Sequence, residues 1–409
     1  MKEIRASLLI TAFSLLVALY LAEVYLQLHP PAPAGRDFKY SPDHDHRSKR
    51  QVVFDLRQHG DAAAVPMLYP SFLVHFPDSY PKDLRDLFAE RFLPLGGISN
   101  RTTVLCNEGG KWAVYRSDEH GFRNPPGTWR GPVRIGVVGD SFSHGNCVAD
   151  GEDWPSVLRR RQPGVLNLGM GGNGPLFMLA AIREYLRPLK PPIVIWQYLE
   201  SHDTRIAGEL KVPMLRRYLE EPGYAQGLAS RQDEIDAILA RLVEGSLAEP
   251  ELQVPKLSLD WRKLVLLRSV RERLGLKFTR SAPQPQVTPP PAAQPQLTPP
   301  LKELAGMLQD AKRTVEGWGG RFIFLYLPTH LGLRSNPPPA HYANHAQVMA
   351  LAKDLGLEVI DLDPVMRAQS DPFSLFPYRS DYHYNAAGYA LVAETVQKHL
   401  SAPRPQQMR

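Results

Sequence analysis

Val133-Arg134-Ile135-Gly136-Val137-Val138-Gly139-Asp140-Ser141-Phe142 is the stretch on which the reading of this chain turns. Val133 to Val138 is a nearly continuous apolar run, and it ends in a glycine turn. An apolar run without polar alternation fits a strand covered on both faces. Four more such runs follow, at Val165 to Leu168, Ile193 to Tyr198, Arg321 to Leu327 and Leu357 to Leu362. Stretches with helical periodicity separate them, among them Leu176 to Tyr185 and Ala346 to Asp354. That alternation predicts a three-layer α/β/α domain with a parallel, flavodoxin-like sheet. Ligands in such sheets gather beyond the carboxyl ends of the strands, which is where Ser141 falls. A serine in a turn is by itself weak evidence of chemistry.

Residues far along the chain supply the partners that a nucleophilic serine needs. Ser380-Asp381-Tyr382-His383-Tyr384-Asn385 lies between the last expected strand and a final helix, Ala386 to Leu400. An imidazole placed there can take the serine proton and return it to a leaving group. Asp381, two positions earlier, can orient the ring. A histidine elsewhere in the chain reads by default as an ordinary surface residue.

Before the first strand, Thr102 to Cys106 and Lys111 to Tyr115 flank Asn107-Glu108-Gly109-Gly110, the pattern of a β-hairpin. Cys106 and Cys147 are the two cysteines of the chain. An even count in an exported chain is consistent with a disulfide. A bridge between them would staple the hairpin region six residues beyond Ser141, so that this segment helps to shape the pocket.

The N-terminus reads as a membrane anchor. Residues 6–28 are apolar apart from small hydroxyl residues, Glu23 and Gln27, and that length suffices to cross a bilayer. Lys2 and Arg5 precede the run, which predicts a cytoplasmic tip (1–5) and a translocated remainder. A cleaved signal peptide is the rival reading, but no small-x-small cleavage pattern follows the run. Residues 29–51 form a Pro- and charge-rich stalk, 52–132 an accessory segment with the hairpin, and 133–402 the sheet domain. That domain is interrupted by a helical insert, 204–280, and a Pro-rich loop, 281–300, which cannot build a core.

Composition narrows the classes of function. Hydrophobic residues make up 43% and charged residues 22%, the balance of a globular chain. The net charge of +6 is spread along the sequence, without the aromatic-laced basic stripe of a nucleic-acid groove. No Cys/His cluster has zinc spacing. The Gly169 to Gly174 stretch lacks the Lys-Ser/Thr of a phosphate-binding loop. No cofactor and no metal is expected, and no nucleic-acid partner.

Taken together, Gly139-Asp140-Ser141-Phe142, Asn167-Leu168-Gly169-Met170-Gly171-Gly172-Asn173-Gly174-Pro175 and Asp381-Tyr382-His383 resemble the ordered blocks of the SGNH/GDSL hydrolases. Asn385 and Gly388 belong to the last block, and Asp118 to Pro125 is similar to what precedes the nucleophile in membrane-anchored members. The resemblance implies Ser141 as nucleophile, His383 as general base and Asp381 as its partner. It also implies an oxyanion hole built from the Ser141 N–H, the Gly172 N–H (Gly171 being the second choice) and an asparagine after the third strand. That asparagine is missing: Glu200-Ser201-His202-Asp203 stands there, with His202 at the donor position. The one-residue spacing of Asp381 and His383 resembles the polysaccharide O-acetylation branch. The resemblance therefore implies a serine esterase or O-acyltransferase acting on an acylated glycan or small ester of the cell envelope. A membrane acyltransferase or polysaccharide-export protein is the implied partner. A non-catalytic glycan-binding or assembly role is the competing expectation, because the third block is altered and the insert is large.

Overall fold

The computed structural model of the 409-residue chain describes residues 2–28, 44–75, 91–200, 203–248, 264–274, 299–334, 344–380 and 382–403. Two compact units divide it. Residues 38–248 with 296–409 form the larger, and residues 1–37 with 249–295 the smaller. The stalk and the Pro-rich loop fall mainly outside the described residues.

In the larger unit, the accessory segment contributes β1 (Val65–Pro66), β2 (Thr102–Val104) and β3 (Val114–Arg116). β2 and β3 pair antiparallel as the expected hairpin, and β1 runs parallel to β2. The hairpin continues toward its turn through bonds between Leu105 and Ala113 and between Ala113 and Cys106.

The main sheet is built from β4 (Ile135–Val138), β5 (Val165–Asn167), β6 (Ile193–Leu199), β7 (Arg321–Leu327) and β8 (Glu358–Asp361). Their order is β5-β4-β6-β7-β8, with every neighbouring pair parallel. The order reverses between β4 and β6, so a crevice opens at the carboxyl end of β4, directly before Ser141.

Continuous apolar strands follow from burial on both faces. Val194, Trp196 and Tyr198 of β6, with Phe322, Phe324 and Tyr326 of β7, pack into one core. Ile195, Leu199, Ile323, Leu325 and Leu327 point to the opposite face, into a second core. Helices Pro175–Ala181, Gln232–Ala248 and Pro299–Gly317 supply apolar partners on the first side. Trp154–Arg159 and Ala386–Ser401 supply them on the second. The helix expected from Leu176 extends through one wider π turn, Ile182–Leu186.

The insert is helical over Asp203–Glu209, Pro213–Glu220 and Gln232–Ala248, as its sequence indicates. Leu215, Tyr218, Ile235 and Leu239 join the first core, so this part of the insert is integral to the domain. Trp196 is fully buried at the centre of the sheet. Its replacement by alanine is expected to cost about 3–5 kcal/mol of stability, measured as a lower midpoint in urea unfolding.

Candidate active site

Each element of the site is placed by a specific polar contact. β4 ends at Val138, and the turn Gly139-Asp140 leads into the short helix Ser141–His144. The Asp140 carboxylate accepts the Phe142 N–H at 2.9 Å and caps that helix. Gln197 of β6 accepts from the Asp140 N–H and from the Ser143 hydroxyl, each at 3.1 Å, so the neighbouring strand fixes the nucleophile turn.

His383 reaches this turn from the other end of the chain. Its Nε2 lies 2.7 Å from the Ser141 Oγ, within hydrogen-bond reach. Phe142 packs against the imidazole, with ring centroids 4.9 Å apart. Tyr384, the next residue, is buried against Phe142, Phe376 and Tyr389 and donates to the Pro328 carbonyl. Asn385 then caps the final helix by accepting the Gly388 N–H at 3.0 Å. These contacts fix the chain that follows the imidazole.

The carboxylate seen on the far side of the ring is Glu108. Its Oε1 is 2.8 Å from His383 Nδ1, and its Oε2 accepts the His383 backbone N–H at 3.0 Å. Asp381 itself lies outside the described residues. Glu108 belongs to the hairpin turn, two residues after Cys106, and Cys106 is bonded to Cys147. The bridge joins the turn to the loop that follows Ser141, and so brings a carboxylate from the accessory segment to His383. The adjacency of Glu108 to Cys106 is the signal in the sequence that points to it.

Burial disfavours the His383 cation, but the Glu108 charge and hydrogen bond outweigh it, with Asp140 adding, so the imidazole pKa is raised. His144 is held the other way. Burial and the nearby Arg123 and His383 charges lower it to about 3, and it stays neutral with Nε2 3.0 Å from the Tyr115 hydroxyl.

The second block lines the same crevice. Asn167 donates from Nδ2 to the Ser143 carbonyl at 2.7 Å and accepts the Gly169 N–H at 2.9 Å. A side chain at position 169 would strike Ser143 and His144, so glycine is what lets this loop run along the nucleophile helix. Gly172 has φ +82°, and a Cβ there would collide with the Ser71 hydroxyl. That hydroxyl donates to the Gly171 carbonyl at 2.8 Å. At the end of the loop, buried Glu209 accepts the N–H groups of Gly174 (2.7 Å) and Leu176 (2.9 Å). Arg205 donates to the Asn173 carbonyl at 3.2 Å. Burial raises the Glu209 pKa to about 7.

The third block departs from the expectation in a second way. Glu200 is engaged with the residues after β7, where it accepts the Thr329 N–H and hydroxyl at 3.1 and 2.9 Å. His202 lies outside the described residues, as does Ser201.

Asp118 to Pro125 forms a buried brace. The Asp118 carboxylate accepts from the His120 and Phe122 amides, the Asn124 side chain and the Trp129 indole, and burial raises it to about 6. Asn124 pairs with the backbone of Asn167 in both directions, at 2.8 Å each. Arg123 donates to the carbonyls of Gly145 (2.6 Å), Ala149 (2.8 Å) and Val148 (3.1 Å), holding the loop that carries Cys147.

Among the described residues, one group has metal-ligating side chains close together: Glu108, Cys147 and His383. The sulfur of Cys147 is committed to the disulfide, which leaves two donors.

No family model matches the chain, and no curated protein matches it. Solved structures of low similarity do. A lipase/acylhydrolase from Enterococcus faecalis is 13% identical with a TM-score of 0.35, over 67% of this chain and 100% of its own. A member of the lipolytic G-D-S-L family from Veillonella parvula is 12% identical with a TM-score of 0.33, over 66% and 98%. A two-domain esterase active on acetylated mannans is 13% identical with a TM-score of 0.31, over 68% and 54%. Likeness at this level carries no functional weight; the chemistry of the site must carry it.

Two outcomes test the site. If His383 serves as base for Ser141, activity requires its neutral form and is expected to rise with pH through the raised imidazole pKa. Glu108→Gln removes the charge that raises it, moving the acid limb of kcat/KM to lower pH and lowering kcat by roughly 10²–10⁴-fold. A pH–rate profile on a small ester reads both. Replacing Cys106 and Cys147 together by serine opens a cross-link spanning 41 residues. The loss expected from loop entropy is about 4 kcal/mol of stability, measured by denaturant unfolding.

Proposed function

We propose that this chain is a serine esterase or O-acyltransferase of the SGNH/GDSL type, with Ser141 as nucleophile. The observation that carries this reading is the aligned series Glu108–His383–Ser141, with 2.8 Å and 2.7 Å between successive groups. Nε2 of His383 takes the Ser141 proton as Oγ bonds to the ester carbonyl carbon. Glu108 holds the ring in the tautomer with Nδ1 protonated, which leaves Nε2 free to accept. When the tetrahedral intermediate collapses, the carbon–oxygen bond to the leaving alcohol breaks and Nε2 returns the proton to that oxygen. An acyl group then remains on Ser141. Water or a sugar hydroxyl, deprotonated by Nε2, then attacks the acyl carbon; the bond from that carbon to Ser141 Oγ breaks, and Nε2 returns the proton to Oγ.

The oxyanion is assigned to the N–H groups of Ser141 and Gly172, with His202 as a third donor. The motif resemblance favours an O-acetyl ester of an envelope or exported polysaccharide as substrate. Ile4–Gln27 is long and apolar enough to cross a membrane, and on this reading it anchors the enzyme with its site on the extracytoplasmic side. An export protein or membrane acyltransferase would then be within reach as a partner.

A fluorophosphonate probe tests the central assignment. Wild type is expected to be labelled, and Ser141→Ala and His383→Ala to remain unlabelled while unfolding at near wild-type denaturant. Well-folded wild type that takes no label and releases no acetate from an acetylated glycan would refute catalysis.

A further inference from the structure

The smaller unit contains a feature that catalysis does not use. Within the apolar N-terminal helix, Lys2–Leu28, Glu23 is a carboxylate, and it is fully buried. It stands 17 positions after Ala6, about 26 Å along the helix at 1.5 Å per residue. That height is close to the far boundary of a hydrocarbon layer about 30 Å thick. A carboxylate there is costly unless it is partnered. Its partners come from the insert: the backbone N–H groups of Ser269 (3.1 Å) and Val270 (2.8 Å), with Gln27 adding a bond at 2.9 Å. Burial of the N-terminal helix begins at Leu19 and covers one side up to Gln27, whereas residues 4–18 are exposed.

The docked segment, Leu264 to Leu274, has two further properties. Val265, Leu266 and Leu274 are 60%, 58% and 64% exposed, three large apolar side chains facing outward. Arg268, Arg271 and Arg273 lie among them, and the helix Arg268–Arg273 contains a single acid, Glu272. Exposed apolar side chains interleaved with arginines, fixed at the outer end of a spanning helix, match the bilayer interface in depth, polarity and charge.

On the anchor reading above, we propose that Leu264 to Leu274 is an interfacial foot lying in the outer headgroup layer. Val265, Leu266 and Leu274 enter the acyl boundary, and the arginines take anionic lipid headgroups. Glu23 is the positioning residue that ties the foot to the anchor.

Nitroxide accessibility in the full chain tests this. Labels are placed at Leu266→Cys and, separately, at Leu16→Cys in nanodiscs containing phosphatidylglycerol. The expected result is that position 16 reports the hydrocarbon interior and position 266 a shallow lipid site, shielded from a water-soluble nickel chelate. Free access of the chelate to position 266 with position 16 still in lipid would overturn the foot and leave the anchor standing. Free access at both would overturn the anchor, and the foot with it. Replacing Arg268, Arg271 and Arg273 by glutamine is expected to move the 266 label outward in anionic discs but not in zwitterionic ones. An unchanged depth in anionic discs would overturn the headgroup assignment.

Discussion

The contact between Glu108 and His383 is the constraint on which the site depends, because it joins positions 275 residues apart. The carboxylate holds both the imidazole and the backbone amide of His383, so it fixes the ring and the loop that carries it. A single oxygen on Nδ1 would fix the tautomer alone. With two bonds from one carboxylate, the direction of Nε2 toward Ser141 is set as well. The same contact makes the accessory segment part of the active site, although its small sheet is separate from the parallel one.

The surrounding polar residues share a design. Buried carboxylates and amides take up loop N–H and C=O groups that no strand or helix satisfies. Gln197 holds the nucleophile turn, Asn167 and Glu209 hold the two ends of the second block, and Arg123 holds the loop after Ser141. These side chains satisfy the irregular backbone and hold the glycine-rich loops beside Ser141 and His383. Rigid loops at the carboxyl edge of a sheet suit a reaction that stabilises developing charge by preset donors.

Much of the fold was legible because burial on both faces writes itself into sequence as unbroken apolar runs. All five strands of the parallel sheet lie where those runs are, and the hairpin lies where two β-branched runs bracket Gly109-Gly110. Ser141 and His383 were legible from motif and order. Glu108 was hidden because an acid in a Gly-rich turn reads as solvated, and only tertiary pairing through Cys106 shows otherwise. Asp381 stood out through its closeness in sequence to His383, and it lies outside the described residues. The brace from Asp118 to Asn124 could be matched to a pattern, but its task of clamping β5 and the Cys147 loop needs the fold to be seen.

The wide separation of the reacting groups has a consequence for how the molecule is born. Ser141 precedes His383 by 242 positions. At about 5–20 residues per second, translation completes the hydroxyl roughly 12–50 s before the imidazole exists. Throughout that interval the growing chain holds a dormant alcohol, with Glu108 already made and nothing for it to orient. Competence arrives only when the late loop threads back onto the early turn. The Glu108–His383–Ser141 series is therefore completed only in the final act of folding.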